Sequence, residues 1–189
     1  MRRPGCFDGD VRVRTTYLEQ RSPADLTPAA SPSVGVLVER LPVPDAELSR
    51  SLYARVGADW QWTDRAGWSV AQWQERLARP GGETWVARVE GDVAGYLELE
   101  STVGAPGTEV EVAYFGLLPS YIGRGIGGHL LSVGIEQAWR LDDRWEGLPP
   151  VARVWLHTCS LDGPAALPNY LARGFRVFAT ISEGRPDPA

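Results

Sequence analysis

The chain has 189 residues, 43% apolar and 23% charged, which fits one soluble globular domain and excludes wholesale disorder. Its formal charge of -5 leaves no basic footprint, so nucleic acid is not an expected partner. No apolar run nears the roughly 18 residues of a membrane span, so no membrane partner is expected.

Every basic side chain is Arg, which excludes a Schiff-base lysine and a Walker-type lysine. The cysteines, Cys6 and Cys159, lie far apart, and only His129 and His157 could join them, so no metal site is expected. The opening "MRRPGCFDGDVRVR" has no apolar segment of a secretory signal. A cytoplasmic protein is the expectation.

Residues 1–13 read as a flexible tail and 14–189 as one domain. "TTYLEQRS" from Thr15 has strand character, and "SPADLTPAASPSV" is a connector. "VGVLVERL" is a firmer strand, with Val36, Val38 and Leu41 spaced for burial. "PVPDAELSRSLYARVG" predicts a helix that Pro44 and Asp45 start, Leu48, Leu52 and Val56 stripe, and Gly57 stops. "SVAQWQERLAR" predicts a second helix, opened by Ser69 and closed at Pro80.

The period then changes to two. "ETWVARVE" and "VAGYLELEST" predict a hairpin about a tight turn at Gly91 and Asp92, and "TEVEVAYFGLL" a further strand. "GGHLLSVGIEQAWRL" has helical spacing through Leu130, Leu131, Ile135, Ala138 and Trp139. "VARVWLHT" is a strand, "GPAALPNYLARG" a helix ending at Gly174, and "FRVFATI" a last strand. Apart from the segment at Thr15, the order is β-α-α-β-β-β-α-β-α-β, an α/β or α+β fold with a mixed sheet.

Between the strand "TEVEVAYFGLL" and its following helix lies "YIGRGIGGHLL". Glycines before a helix N-terminus let backbone N–H groups close on a phosphate, aided by the helix dipole. Gly123, Gly125 and Gly128 spell GxGxxG, but no acidic residue follows at the spacing a dinucleotide fold requires. A NAD-dependent oxidoreductase is therefore the lesser reading.

"FGLLPSYIGRGIGGHLL" instead resembles the cofactor motif of the GNAT superfamily of acyl-CoA N-acyltransferases. Leu117, Pro119, Gly123, Arg124, Gly125, Ile126 and Gly127 fall on its positions; Ile122 stands where Arg or Gln is usual. Downstream, Ala166, Leu167, Tyr170, Gly174 and Phe175 of "AALPNYLARGF" match a second signature of the family.

The resemblance implies a mostly antiparallel sheet splayed between its fourth and fifth strands, flanked by helices. It implies acetyl-CoA, or another short acyl-CoA, as co-substrate. The N–H groups of Gly123, Arg124, Gly125, Ile126, Gly127 and Gly128 would hold the pyrophosphate, and Phe115 and Leu117 the pantetheine arm. Asn169 is a further cofactor candidate, shifted from the family's more usual position, which is held by Gly163.

Amine transfer needs a base, because an ammonium has no lone pair. Glu111 lies eleven residues before Ile122, as in histone-acetylating members of the family. Six strand residues from Glu111 to Leu117 span about 20 Å, of the order of a pantetheine arm. Glu111, directly or through water, is the expected base, with His157 as rival. Tyr170 falls at the family's general-acid position. Cys159 is expected to be inert, since the family transfers directly.

"GADWQWTDRAGW" places Trp60, Trp62 and Asp64 where the family often lines its acceptor pocket, and His157 joins them as a substrate candidate. Aromatic walls with a carboxylate suit a cationic amine. The expected function is acetyl transfer to a small-molecule amine, by a monomer or homodimer. A non-catalytic acyl-CoA-binding module is the alternative.

Overall fold

A computed structural model describes residues 11–185. In chain order the elements are β1 (Val11–Gln20), β2 (Leu37–Arg40), α1 (Ala46–Gly57), α2 (Val70–Leu77), β3 (Glu83–Val89) and β4 (Asp92–Gly104). There follow β5 (Gly107–Leu117), α3 (Ile126–Trp139), β6 (Val151–Cys159), α4 (Ala166–Ala172) and β7 (Arg176–Arg185). The strands make one sheet in the order β2-β3-β4-β5-β6-β1-β7. Only β5 and β6 pair in parallel among the described residues, so the sheet is mixed and mostly antiparallel.

Helices α1 and α2 begin where their caps stand. Asp45 accepts the Leu48 N–H at 2.9 Å, and Ser69 forms a capping box with Gln72. Helix α3 packs its buried stripe, Ile126, Leu130, Leu131 and Ile135, on one sheet face against Leu97, Leu99, Val110 and Leu156. On the other face α1 sets Leu52 and Val56 against Tyr96, and Tyr53 of α1 joins Trp73 and Leu77 of α2. Burying a side chain of this size stabilises by about 1.5–3 kcal/mol, so both layers hold the helices on the sheet.

Two expectations are corrected and a third is extended. The hairpin turn is Glu90-Gly91 rather than Gly91-Asp92: Val89 pairs with Asp92, and φ is 53° and 91° at the two loop residues. Positive φ at both matches a type I′ turn, whose twist suits the flanking strands. The tail expected over 1–13 ends sooner, since β1 already runs from Val11; residues 1–10, with Cys6, lie outside the described residues. The segment from Thr15 belongs to a full strand inserted between β6 and β7, pairing Tyr17 with His157 on one side and Ala179 on the other.

Two irregularities in β5 shape the site. Its pairing with β6 stops at Glu111↔Trp155, and the strands part beyond that point. These are the fourth and fifth strands of the expected splay. Against β4 the register shifts between Glu98↔Tyr114 and Leu99↔Val112, leaving Ala113 as a bulge. The extra residue rephases the strand. Glu111 and Tyr114 thereby share the α1/α2 face, while Phe115 and Leu117 turn toward α3.

Candidate active site

Where β5 and β6 part, a cavity of about 840 Å³ runs through the sheet. That is ample for a cofactor arm and a small acceptor. At one end lies the start of α3. Its N-cap, Gly125, adopts φ 78° and offers no side-chain cap, and no acidic residue sits in the first turn. The first N–H groups of the helix are thus uncapped donors at its positive end.

Gly128, in the first turn, lies beside Asn169 of α4 and Arg173 at its end. A Cβ there would meet Arg173 Nη1 at 2.7 Å and touch Asn169 Oδ1 at 3.6 Å, so the glycine lets the guanidinium lie close beside the donors. Such a cradle suits a pyrophosphate, and the residues present fit coenzyme A. Gly123, Gly125, Gly127, Gly128, Phe115, Leu117 and Asn169 all line the cavity. Arg124 and Ile126 do not: Arg124 lies over the Tyr121 ring at 5.4 Å, and Ile126 is fully buried in the core. What they bring to the loop is their backbone.

Tyr170 also lines the cavity. Its ring is held edge-on by Phe115 and Phe175, with centroids at 6.1 and 6.5 Å. Burial, then the charge of Asp162, pushes its phenol well above the ordinary value, so it stays protonated.

Across the cavity, Glu111 and His157 meet. Their strands part just where these side chains face each other, and Glu111 Oε1 lies 3.3 Å from His157 Nδ1. The Glu111 carboxylate raises the His157 pKa above 6.5 against the opposing effect of burial. Tyr17 flanks the imidazole at 5.7 Å and Trp155 at 6.4 Å.

The α1–α2 loop closes this end. Trp60 lies against Gly163, where a Cβ would meet its ring at 3.1 Å. Trp62 Nε1 donates to Asp162 Oδ1 at 3.4 Å, and Asp162 in turn accepts from Thr158 and the Cys159 N–H. The loop therefore bridges the two arms of the cleft. Asp64 accepts from Tyr53 Oη at 2.8 Å and from the Tyr114 hydroxyl. Burial pushes Tyr53 up to about 12 and raises Tyr114 further, so both phenols remain donors.

All four acceptor candidates, Trp60, Trp62, Asp64 and His157, thus come together with Glu111 around one cavity. The sequence alone did not single out Tyr114, Glu100, Asp162 or Arg173 for this site. It also passed over Val13 and Thr15, which β1 brings to the lining. Among the described residues, no group of three or more His, Cys, Asp or Glu side chains is placed to hold a metal. No described helix is long and apolar enough to cross a membrane.

Residues 47–175 match the model of the acetyltransferase (GNAT) family, and the chain belongs to that family. Its fold is similar to a GCN5-related N-acetyltransferase from Kribbella flavida: TM-score 0.60, 21% identity, covering 93% of this chain and 59% of that one. A GCN5-related N-acetyltransferase from Sphaerobacter thermophilus is similar at TM-score 0.57 and 16% identity, covering 89% and 49%. An aminoglycoside acetyltransferase from an uncultured soil metagenomic sample, solved with trehalose, is similar at TM-score 0.57 and 16% identity, covering 73% and 86%. The chain thus spans about half to three fifths of the first two structures' length. No curated protein matches it in sequence.

Proposed function

We propose that the protein transfers an acetyl group from acetyl-CoA to the amine of a small-molecule acceptor by direct attack. One observation carries this reading. A single cleft runs from the uncapped, glycine-lined start of α3 to the Glu111–His157 pair.

The N–H groups from Gly123 to Gly128 bind the pyrophosphate, with Asn169 and the Arg173 guanidinium beside them. The edge of β5 that β6 vacates, from Val112 to Leu117, holds the arm through backbone hydrogen bonds. When bound, acetyl-CoA supplies an activated thioester carbonyl and a thiolate leaving group.

Only a neutral amine has a lone pair, so the acceptor must lose a proton at the cleft. Glu111 contacts the Nδ1 side of His157, which leaves Nε2 to receive that proton. The carboxylate then faces an imidazolium it stabilises, the arrangement by which an acid orients a histidine base. Glu111 acts here through His157 rather than alone. Tyr170 donates a hydrogen bond to the departing sulfur, and its protonated phenol is available over the whole neutral range.

Acetyl-CoA raises the melting temperature by mass action, while NAD(H) at equal concentration does not. Thiol release with a panel of primary amines then separates an enzyme from a silent binding module. The absence of any thermal shift at saturating acetyl-CoA overturns the reading.

A further inference from the structure

The acceptor end of the cleft has more negative charge than a single amine requires. Its ionisable lining comprises the carboxylates Asp64, Glu100, Glu111 and Asp162, the guanidinium groups Arg65 and Arg76, and His157. Both guanidinium groups are engaged by Glu100: Arg65 Nη2 at 3.0 Å and Arg76 Nε at 2.7 Å. Asp162 is turned inward on Thr158, the Cys159 N–H and Trp62. Glu111 faces His157. Asp64 and Asp162 are the carboxylates whose closest contacts are neutral, and of the two Asp64 is the exposed one.

Asp64 is also presented rather than buried. Its side chain is 62% exposed, yet Tyr53 and the Tyr114 hydroxyl fix both oxygens. Arg65 reaches it only at 4.0 Å, and that guanidinium is stacked on Trp68 and Tyr114, at 4.7 and 4.5 Å. Two phenols hold the carboxylate in one orientation without neutralising it. Trp60 and Trp62 line the same space with flat apolar faces.

A monoamine that has given up its proton brings no charge to this end. A second nitrogen that keeps its proton would match Asp64 and lie against the indoles, where a cation is favoured.

We infer that Asp64 is a docking carboxylate for a second nitrogen that keeps its proton, so that the preferred acceptors are diamines joined by an apolar link. This rests on reading the cavity as the acceptor site of an acetyltransferase. One nitrogen sits at His157 and is acetylated; the other stays charged at Asp64.

The test pairs α,ω-diaminoalkanes with amino alcohols of equal length, which replace the second amine by a neutral hydroxyl. In the wild type, kcat/KM for the diamine exceeds that of the amino alcohol by about tenfold or more, the size of one charge-assisted contact. Asp64→Asn keeps the shape and lowers that ratio to within about twofold, whereas Asp64→Glu keeps the charge and retains a preference.

Calorimetric titration of the same diamines into the protein saturated with coenzyme A gives a readout that needs no turnover. Binding that is present in the wild type and lost in Asp64→Asn supports the docking site even if no amine is acetylated, an outcome that would sink the proposed reaction alone. Equal ratios for diamine and amino alcohol in the wild type, an undiminished ratio in Asp64→Asn, or no binding of any diamine overturns the inference.

Discussion

Glu111 Oε1 lies 3.3 Å from His157 Nδ1 across the point where β5 and β6 separate. Two residues beyond the last paired position of β6, the imidazole reaches back toward a carboxylate at the last paired position of β5. The contact joins two groups that sequence reasoning sets against each other as rival bases. Both line the cavity, and in the proposed reaction they act as one proton-accepting unit.

A pH profile divides the labour within that pair. His157 must be neutral to accept a proton, and its pKa is raised above 6.5, chiefly by Glu111. The kcat/KM of the wild type therefore climbs with pH through an apparent pKa above 6.5. Removing the carboxylate in Glu111→Gln leaves burial opposed only by the weaker pull of Asp162 and Asp64, so the limb moves to lower pH while the plateau falls. His157→Ala loses about 10²–10⁴-fold, the usual worth of a positioned base. If Glu111→Gln abolishes activity with no movement of the limb, Glu111 itself takes the proton.

Tyr170→Phe removes a hydroxyl and little else. The ring contacts with Phe115 and Phe175 persist, so the melting temperature and the KM for acetyl-CoA stay close to wild type. The lost donor at the sulfur lowers kcat by about 10²-fold. Because burial keeps the phenol protonated at neutral pH, the wild type has no descending limb from Tyr170 below pH 9. An unchanged kcat in Tyr170→Phe assigns the residue to packing.

Local features of this site were legible, and non-local ones were not. The glycines before α3 and the tyrosine of α4 stand in short contiguous motifs, and caps such as Asp45 and Ser69 act within one turn. The Ala113 bulge has no sequence mark, because it exists only relative to Glu98 and Leu99 of the neighbouring strand. The place of β1 between β6 and β7 depends on pairs such as Thr16↔Thr158, set by closing the whole chain. The same holds for Tyr114. Its hydroxyl reaches Asp64 only because the bulge turns it to the face where the α1–α2 loop lies.

Ile122 is the one side chain of the phosphate motif that departs from the usual Arg or Gln. It is exposed and lines the cavity beside the glycines. Ile122→Arg places a guanidinium near the pyrophosphate and lowers the Kd for acetyl-CoA by about three- to tenfold. Screening shrinks that gain at high salt, which separates charge from packing. An equal gain from Ile122→Met would show that the side chain acts by apolar contact.

Glu98 sets a stability limit away from the chemistry. It is almost fully buried on β4, neither carboxylate oxygen has a well-formed hydrogen bond, and a loose approach to Ser49 offsets little. Burial lifts its pKa from 4.5 to about 7. Between those values the folded chain holds a proton that the unfolded chain has released, so stability falls as pH rises through this window. The full span corresponds to about 3 kcal/mol. Glu98→Gln carries no charge to desolvate. Its stability relative to wild type should rise by about 2 kcal/mol between about pH 5 and pH 8, measured as urea midpoints at constant m. A difference that does not change with pH means that Glu98 is ionised in the fold throughout, held by Arg65 and Arg76 rather than kept neutral by burial.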